Sequence, residues 1–518
     1  MTRLRGRAVY VTHPATKNVS GEQQGMAKAP QGSQWKTLDT DLNRISQVEL
    51  ATAYVGRPMV GMGIALAFIV VAGVMAAVFF GQQPVSFVII VAAIFGAYMA
   101  VNIGANDVAN NMGPAVGANA LTMGGAIVIA ALCESAGALL AGGDVVSTIS
   151  KGIIDPASIA DTRVFIWAMM AALISSALWV NLATWVGAPV STTHSVVGGV
   201  MGAGIAAAGL GAVNWSSMSL IAASWVISPV LGGAVAALFL AFIKARILYQ
   251  DDKIAAARTW VPVLVGIMAG VFATYLALKG LKKIISIDMP TALLIGVIIG
   301  ALVYAISAPL IRRKSVGMEN RNKSVKVLFG LPLVFSAALL SFAHGANDVA
   351  NAVGPLAAIV HATEFGVSEA KVVIPLWVMV IGAFGISFGL FLFGPKLIRM
   401  VGSQITKLNP MRAYCVALSA AITVIVASWL GLPVSSTHIA VGGVFGVGFY
   451  REWHMERRLR SPGVEAGTVK RIAPEERRRR KLVRRSHFMT IVAAWVITVP
   501  AAATMSALVF WVLNTVTN

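Results

Sequence analysis

Two copies of one seven-residue string carry the most telling chemistry in the chain: Gly104-Ala105-Asn106-Asp107-Val108-Ala109-Asn110 and Gly345-Ala346-Asn347-Asp348-Val349-Ala350-Asn351. Both sit inside apolar runs of membrane length, where an aspartate near a helix centre costs roughly 2.5–3.5 kcal/mol, so each acid marks a functional site by default. Carboxylate, amide and freed backbone oxygens are hard ligands that suit a sodium ion, and an aspartate alone could carry a proton. The glycine of each copy would let the helix break and free those carbonyls. A second pair follows in the same order. Pro189-Val190-Ser191-Thr192-Thr193-His194 and Pro433-Val434-Ser435-Ser436-Thr437-His438 each lead into a glycine-rich apolar stretch. Proline pre-sets the first turn, the hydroxyls donate, and the helix N-terminus that follows aims its free N–H groups and positive dipole end outward. That is an anion cradle, and two of them could hold a tetrahedral oxyanion between them.

Each element has a plainer explanation. A hydroxyl cluster before an apolar run is ordinarily an N-cap, and an Asn-Asp pair in an apolar helix can be interhelical glue. Recurrence argues against both, because Gly104 to Pro189 spans 85 residues and Gly345 to Pro433 spans 88. His194 and His438 suit packing or capping as well as proton transfer. Glu134 is a further acid in mid-segment, and the matching part of the second half, around Pro375 to Gly389, has none. It therefore breaks the symmetry, with a unique ion or proton role as the expectation.

The elements that position these residues must be membrane helices. Of the 518 residues 57% are apolar and 12% charged, and the mean hydropathy is +0.78. Crossing the hydrocarbon takes about 20 apolar residues, and such runs recur along the chain. The fold class is an all-α polytopic membrane protein, with thirteen candidate crossings near 59–80, 86–118, 121–141, 162–186, 190–209, 218–243, 260–279, 290–311, 327–353, 372–394, 413–432, 433–450 and 488–513. The runs 190–209 and 433–450 are short and glycine-rich, and are expected as half-helices with a net crossing each. Alternate gaps then gather 35 of the 41 Lys and Arg residues on one face, as the positive-inside rule requires of the cytoplasmic side. That puts the N-terminus in the cytoplasm and the C-terminus in the periplasm.

Six crossings between the two heptad-bearing helices make the halves inverted repeats, a recurring design of secondary transporters with the site at the repeat interface. The boundaries follow: a polar N-terminal tail at 1–57 without a signal-peptide pattern, an extra helix at 58–80, one repeat at 86–249, connecting helices and a basic loop at 250–326, and the second repeat at 327–514. The second repeat carries the Arg-rich loop 451–487, whose charge suits anionic lipid at the cytoplasmic face rather than nucleic acid. Cys133 and Cys415 have no metal-ligand spacing. Asp144, Asp155 and Asp161 fall in an expected external, solvated loop. An intramembrane hydrolase needs one asymmetric nucleophile–base pair, not two symmetric copies, and a passive channel needs no cation site.

These residues resemble the PiT inorganic phosphate transporter family. The likeness rests on the doubled heptads, on His344 before the second with Gly354-Pro355 after it, on Lys151-Gly152-Ile153-Ile154-Asp155, and on the paired hydroxyl elements, over about residues 86 to 514. It implies a phosphate importer, not an enzyme, driven by cation symport. Phosphate would contact Ser191, Thr192, Thr193, Ser435, Ser436 and Thr437. The coupling ion would contact Asn106, Asp107, Asn110, Glu134, Asn347, Asp348 and Asn351. Intact heptads in both halves resemble sodium-dependent members; proton-coupled transport of phosphate or metal–phosphate, and sulfate transport, are the alternatives within the family. The resemblance calls for no cofactor and no metal beyond the transported sodium ion or proton, for membrane lipids as partners, and allows a homodimer. The extra helix ahead of the first heptad departs from the family's usual twelve crossings, and the missing long polar central insertion of animal members points to the inner membrane of a bacterium.

Overall fold

The computed structural model describes residues 59–79, 86–155, 158–159, 161–186, 190–280, 287–366, 374–400, 408–459 and 485–517. The tail 1–57 and most of the Arg-rich loop thus lie outside the described residues. Contacts set residues 1–60 apart from residues 61–518.

Long apolar runs rich in Ala, Leu and Gly become helices, and polar residues fix where they start and stop. The order is α1 (Met59–Phe79), α2 (Ser86–Gly117), α3 (Met123–Ala141), a short α4 (Gly143–Ser147) continued by a π-helical turn, α5 (Thr162–Val186), α6 (Thr192–Ala208), α7 (Trp215–Ile243), α8 (Lys253–Lys279) and α9 (Met289–Lys314). The second half holds α10 (Asn322–Leu328), α11 (Gly330–Asp348), α12 (Ala350–Phe365), α13 (Leu376–Met400), α14 (Pro410–Trp429), α15 (Ser436–Leu459) and α16 (Arg485–Thr517). Thr122, Asn214, Asp252 and Asn409 cap α3, α7, α8 and α14 by accepting backbone N–H groups, which removes orphan donors at those ends. Gly209 and Gly366, both at φ 78°, turn the chain sharply after α6 and α12, in the left-handed region that a Cβ disfavours.

Eleven helices among the described residues are long and apolar enough to cross a bilayer, and the protein is a multi-pass membrane protein. Two of the thirteen crossings expected, the runs 190–209 and 433–450, are not among these eleven: α6 has only 17 residues, and α15 opens on Ser-Thr-His and runs on into Arg451 and Glu452, so both fall short of a full apolar span. α6 folds back along α5, where Ser176 Oγ donates to the carbonyl of Ser195 at 3.0 Å. An antiparallel bridge between Ile154 and Val213 then ties the ends of that excursion together.

Packing between the two halves is reciprocal. α2 lies on α13 and α3 on α11; α6 lies on α16 and α15 on α7; α5 packs on α6 and α14 on α15. Apolar side chains on the outer faces, such as Leu293, Leu294, Val297 and Ile298 of α9, stay exposed, as a lipid-facing surface requires.

Close helix approach explains the heptad glycines better than helix breaking does. Contrary to expectation, α2 runs unbroken through Gly104 to Asn110, and the second helix is interrupted only at Val349, after the acid. A methyl group on Gly104 would strike the backbone carbonyl of Ile386, and one on Gly345 would strike that of Glu134. Glycine at both positions lets α2 sit against α13 and α11 against α3, backbone on backbone, as small residues do in membrane interfaces.

Candidate functional site

The two acids and the two hydroxyl clusters, separated by 85 and 88 residues in sequence, converge. Thr192 Oγ1 donates to Asp107 Oδ2 at 2.9 Å, and its counterpart Ser436 Oγ donates to Asp348 Oδ2 at 2.9 Å. Other contacts cross between halves. Thr437 Oγ1 donates to Asp107 Oδ1 at 3.1 Å and accepts from Asn110 Nδ2 at 2.8 Å. Asn351 Nδ2 donates to Thr193 Oγ1 at 3.1 Å and more loosely to Thr192 Oγ1 at 3.4 Å. Asp107, Asp348, Asn351, Thr192, Thr193 and Ser436 are all buried. Such hydroxyls partly meet the need of an intramembrane carboxylate for donors without neutralising its charge.

Ser191 and Ser435 do a different job. Each accepts the N–H of the histidine three residues on, His194 and His438, at 3.2 and 3.3 Å, which is N-cap geometry. Capping thus starts α6 and α15 at the site, and leaves Thr192, Thr193, Ser436 and Thr437 as the hydroxyls that face the heptads. The histidine rings meet edge to face with centroids 4.6 Å apart, and Trp225 packs tilted against His194 while its indole N–H donates to the carbonyl of Pro433 at 3.0 Å.

The amides are less equivalent. Asn347 donates to Ser428 Oγ and to the carbonyl of Leu432, and accepts the N–H of Val434 at 3.2 Å. It braces the turn into α15. Asn106 is partly exposed, and no side-chain hydrogen bond joins it to a described residue; Pro189 and its two predecessors lie outside the described residues. Asp144, expected in a solvated loop, pairs with Lys279 at the end of α8.

Glu134 is fully buried on α3, and it reaches the site through a residue that the sequence did not single out for chemistry. His344 stands between two acids, with Nδ1 3.1 Å from Glu134 Oε1 and Nε2 2.8 Å from Asp348 Oδ2. Asn111 Nδ2 donates to the same Glu134 oxygen at 3.0 Å. The first-half equivalent of His344 is Ile103. The residue whose carbonyl meets Gly104, as that of Glu134 meets Gly345, is Ile386. Of the two equivalent contacts between the repeats, α3 on α11 therefore carries a Glu–His couple and α2 on α13 two isoleucines. The available signal was the ionisable residue directly before only one of the two heptads.

This is a constellation for holding charged cargo: buried carboxylates and amides on one side, two capped helix N-termini with inward hydroxyls on the other. A model of the phosphate transporter family matches residues 103–506. The chain is 45% identical over 526 residues to a Helicobacter pylori protein named "Putative phosphate permease", covering 92% of this chain and 99% of that one. It is 37% identical over 452 residues to "Inorganic phosphate transporter 2-1, chloroplastic" of Arabidopsis thaliana, covering 81% of this chain and 71% of the relative. A solved structure described as "The sodium-dependent phosphate transporter" superposes with a TM-score of 0.74 at 34% identity, covering 83% of this chain and 99% of that one. The chain belongs to the phosphate transporter family, a family of permeases and not of enzymes.

Proposed function

We propose that the protein imports inorganic phosphate across the bacterial inner membrane by symport with sodium. The observation that carries this is the crossed bonding of the site: hydroxyls at the starts of α6 and α15 donate to the heptad carboxylates, with Thr437 of one half on Asp107 of the other. A cation arriving between Asp107, Asp348 and the heptad amides would take over those carboxylate oxygens. Thr192, Thr193, Ser436 and Thr437 would then turn their hydroxyls toward a phosphate lying at the two helix N-termini, where backbone N–H groups and both dipoles favour an anion. Ser191 and Ser435 keep the two ends capped and on the site. Binding of cation and anion is thereby linked through shared hydrogen bonds, which is the requirement for symport.

Sodium is favoured over a proton by the hard oxygen donors of both heptads and by the sodium dependence of the structural relative. The reciprocal packing of the halves supports two repeats related by a two-fold axis, and the basic-residue asymmetry supports their inversion, a cytoplasmic N-terminus and a periplasmic C-terminus. The test is radiolabelled phosphate uptake into proteoliposomes, with sodium and proton gradients imposed separately and sulfate as competitor. Accumulation driven by the sodium gradient and resistant to sulfate is the expected result. Uptake driven only by a proton gradient would replace the coupling ion, sulfate competition at equal concentration would widen the substrate class, and no gradient-driven accumulation would sink the proposal.

A further inference from the structure

Symport as proposed occupies the heptads and the hydroxyl clusters and gives α7 no task. Yet α7 carries the half-buried Trp225, which touches both hydroxyl clusters at once. Its indole N–H donates to the carbonyl of Pro433, at the head of the second cluster, at 3.0 Å. Its ring packs on that of His194, in the first cluster, with centroids 3.9 Å apart, and His194 in turn meets His438 of the second. Three rings thus bridge two helix starts that come from opposite halves of the chain.

The bond to Pro433 matters because of where that carbonyl lies. Pro433, Val434 and Ser435 are all buried, and each backbone group left unpaired there is costly. Val434 donates its N–H to Asn347 Oδ1 at 3.2 Å, and its carbonyl accepts from Thr193 Oγ1 at 3.1 Å. Ser435 Oγ accepts the N–H of His438. Proline has no N–H to place, and its carbonyl is taken by Trp225. A peptide oxygen is partly negative, so one swung toward a helix N-terminus would cancel part of the positive end that favours an anion. Of the partners that fix this turn, Trp225 alone belongs to neither the heptads nor the hydroxyl clusters.

The tryptophan also recurs. A methyl group on Gly442 would strike the carbonyl of Pro229 and one on Gly446 that of Gly233, just as methyl groups on Gly198 and Gly202 would strike those of Val499 and Ala503. Pro229 and Val499 are therefore equivalent positions on α7 and α16. Four residues before each stands a tryptophan, in Trp225-Val226-Ile227-Ser228 and in Trp495-Val496-Ile497-Thr498. The same repetition that singles out the heptads singles out this position.

We infer that Trp225 is a positioning residue for phosphate: its N–H holds the Pro433 carbonyl away from the anion and its ring holds His194, so that the starts of α6 and α15 keep the spacing one oxyanion can bridge. The inference rests on the reading of those helix starts as the phosphate site. It concerns the anion half of the site and leaves the cation half to the heptads.

The test uses the purified full-length protein in proteoliposomes for uptake and in nanodiscs for binding. Trp225→Phe keeps a ring on His194 and removes the N–H. Its KM for phosphate should rise about tenfold, as the loss of one buried hydrogen bond implies, while Vmax per folded protein stays essentially that of the parent. Stabilisation against heat by sodium in phosphate-free buffer should not change. Trp215→Phe is the matched control: Trp215 also donates its N–H to a backbone carbonyl, that of Leu210 at 3.0 Å, but at the exposed start of α7, and its loss should leave KM unaltered. Variants are first checked for a single monodisperse peak. Should Trp225→Phe fail that check, Trp225→Tyr, with a larger ring and likewise no indole N–H, decides in its place. An unchanged KM, a fall in Vmax at constant KM, an equal rise in KM for Trp215→Phe, or an equal loss of the sodium effect each overturns the inference. Equilibrium binding of radiolabelled phosphate to the nanodiscs separates the two readings. Binding that depends on Trp225 without sodium-driven uptake removes the symport alone, and sodium-driven uptake with a KM indifferent to Trp225 removes the positioning role alone.

Discussion

At the scale of single residues, the site divides hydroxyls that build the helix ends from hydroxyls that face the heptads, and the division is measurable. Ser435 spends its oxygen on the N–H of His438, so Ser435→Ala should lower stability by about 0.5–2 kcal/mol, the usual cost of a lost N-cap, with little change in the KM for phosphate. Thr437 touches Asp107 and Asn110 together. Thr437→Val should leave the melting temperature nearly unchanged and raise that KM at least tenfold. If Ser435→Ala moves KM and Thr437→Val moves only stability, the assignment of roles is reversed. The carboxylates are sharper still. Asp107→Asn and Asp348→Asn keep shape and remove charge, so each should cut sodium-driven uptake at least tenfold while the protein stays folded, because an amide gives a cation no net charge to pair with. Near-normal uptake in both variants would return the two acids to structural roles.

At the scale of elements, the glycines decide how closely the two halves approach. Gly345 meets the backbone of Glu134, so Gly345→Val must push α11 away from α3 and disturb the Glu134–His344 contact carried on those helices. Overpacking in a tight interior costs typically 1–3 kcal/mol, and the upper end is expected here because the neighbour is backbone and cannot rotate aside. Gly124, on the same α3, faces open space, and Gly124→Ala should be neutral or slightly stabilising. Thermal melting of the two variants in the same lipid checks the contrast. The heptads and the hydroxyl clusters were legible in the sequence because each occurs twice in the same order, and a buried acid between amides is informative on its own. The continuity of α2 was not legible, since a glycine that permits a break and a glycine that permits contact look alike before the partner helix is known. His344, noted only as part of the family likeness, was given no chemistry for the opposite reason: its equivalent is Ile103, so a search for repetition passes over it. The bonds of Asn347 to Ser428 and of Asn111 to Glu134 join residues 81 and 23 apart and exist only once the helices have packed. Length and apolarity alone pass over α6 and α15, because the Ser, Thr and His residues at the start of each and the charged end of α15 leave no long apolar stretch of the kind that marks a span.

At the scale of the whole molecule, the reciprocal pairing of α2 with α13 and α3 with α11, and of α6 with α16 and α7 with α15, is what two repeats related by a two-fold axis produce. The pairing alone does not say how the axis lies relative to the membrane. Charge does. The loops at the ends of α6 and α15 are equivalents in the repeat, yet the first, around Gly211, carries no charged residue, whereas the second, from Arg451 onward, is the most basic stretch of the chain. Basic loops stay on the cytoplasmic side and uncharged ones are free to translocate, so equivalent loops of opposite character belong on opposite faces if the repeats are inverted. Gly211 and Glu456 are both exposed, and each can be replaced by cysteine in a chain whose own Cys133 and Cys415 have been changed to alanine. A membrane-impermeant maleimide added to intact spheroplasts should label Gly211→Cys and spare Glu456→Cys, and inside-out vesicles should give the reverse. Labelling of both cysteines from the same face would place the two loops together, make the axis perpendicular to the membrane, and remove the structural basis for presenting one site alternately to the two sides.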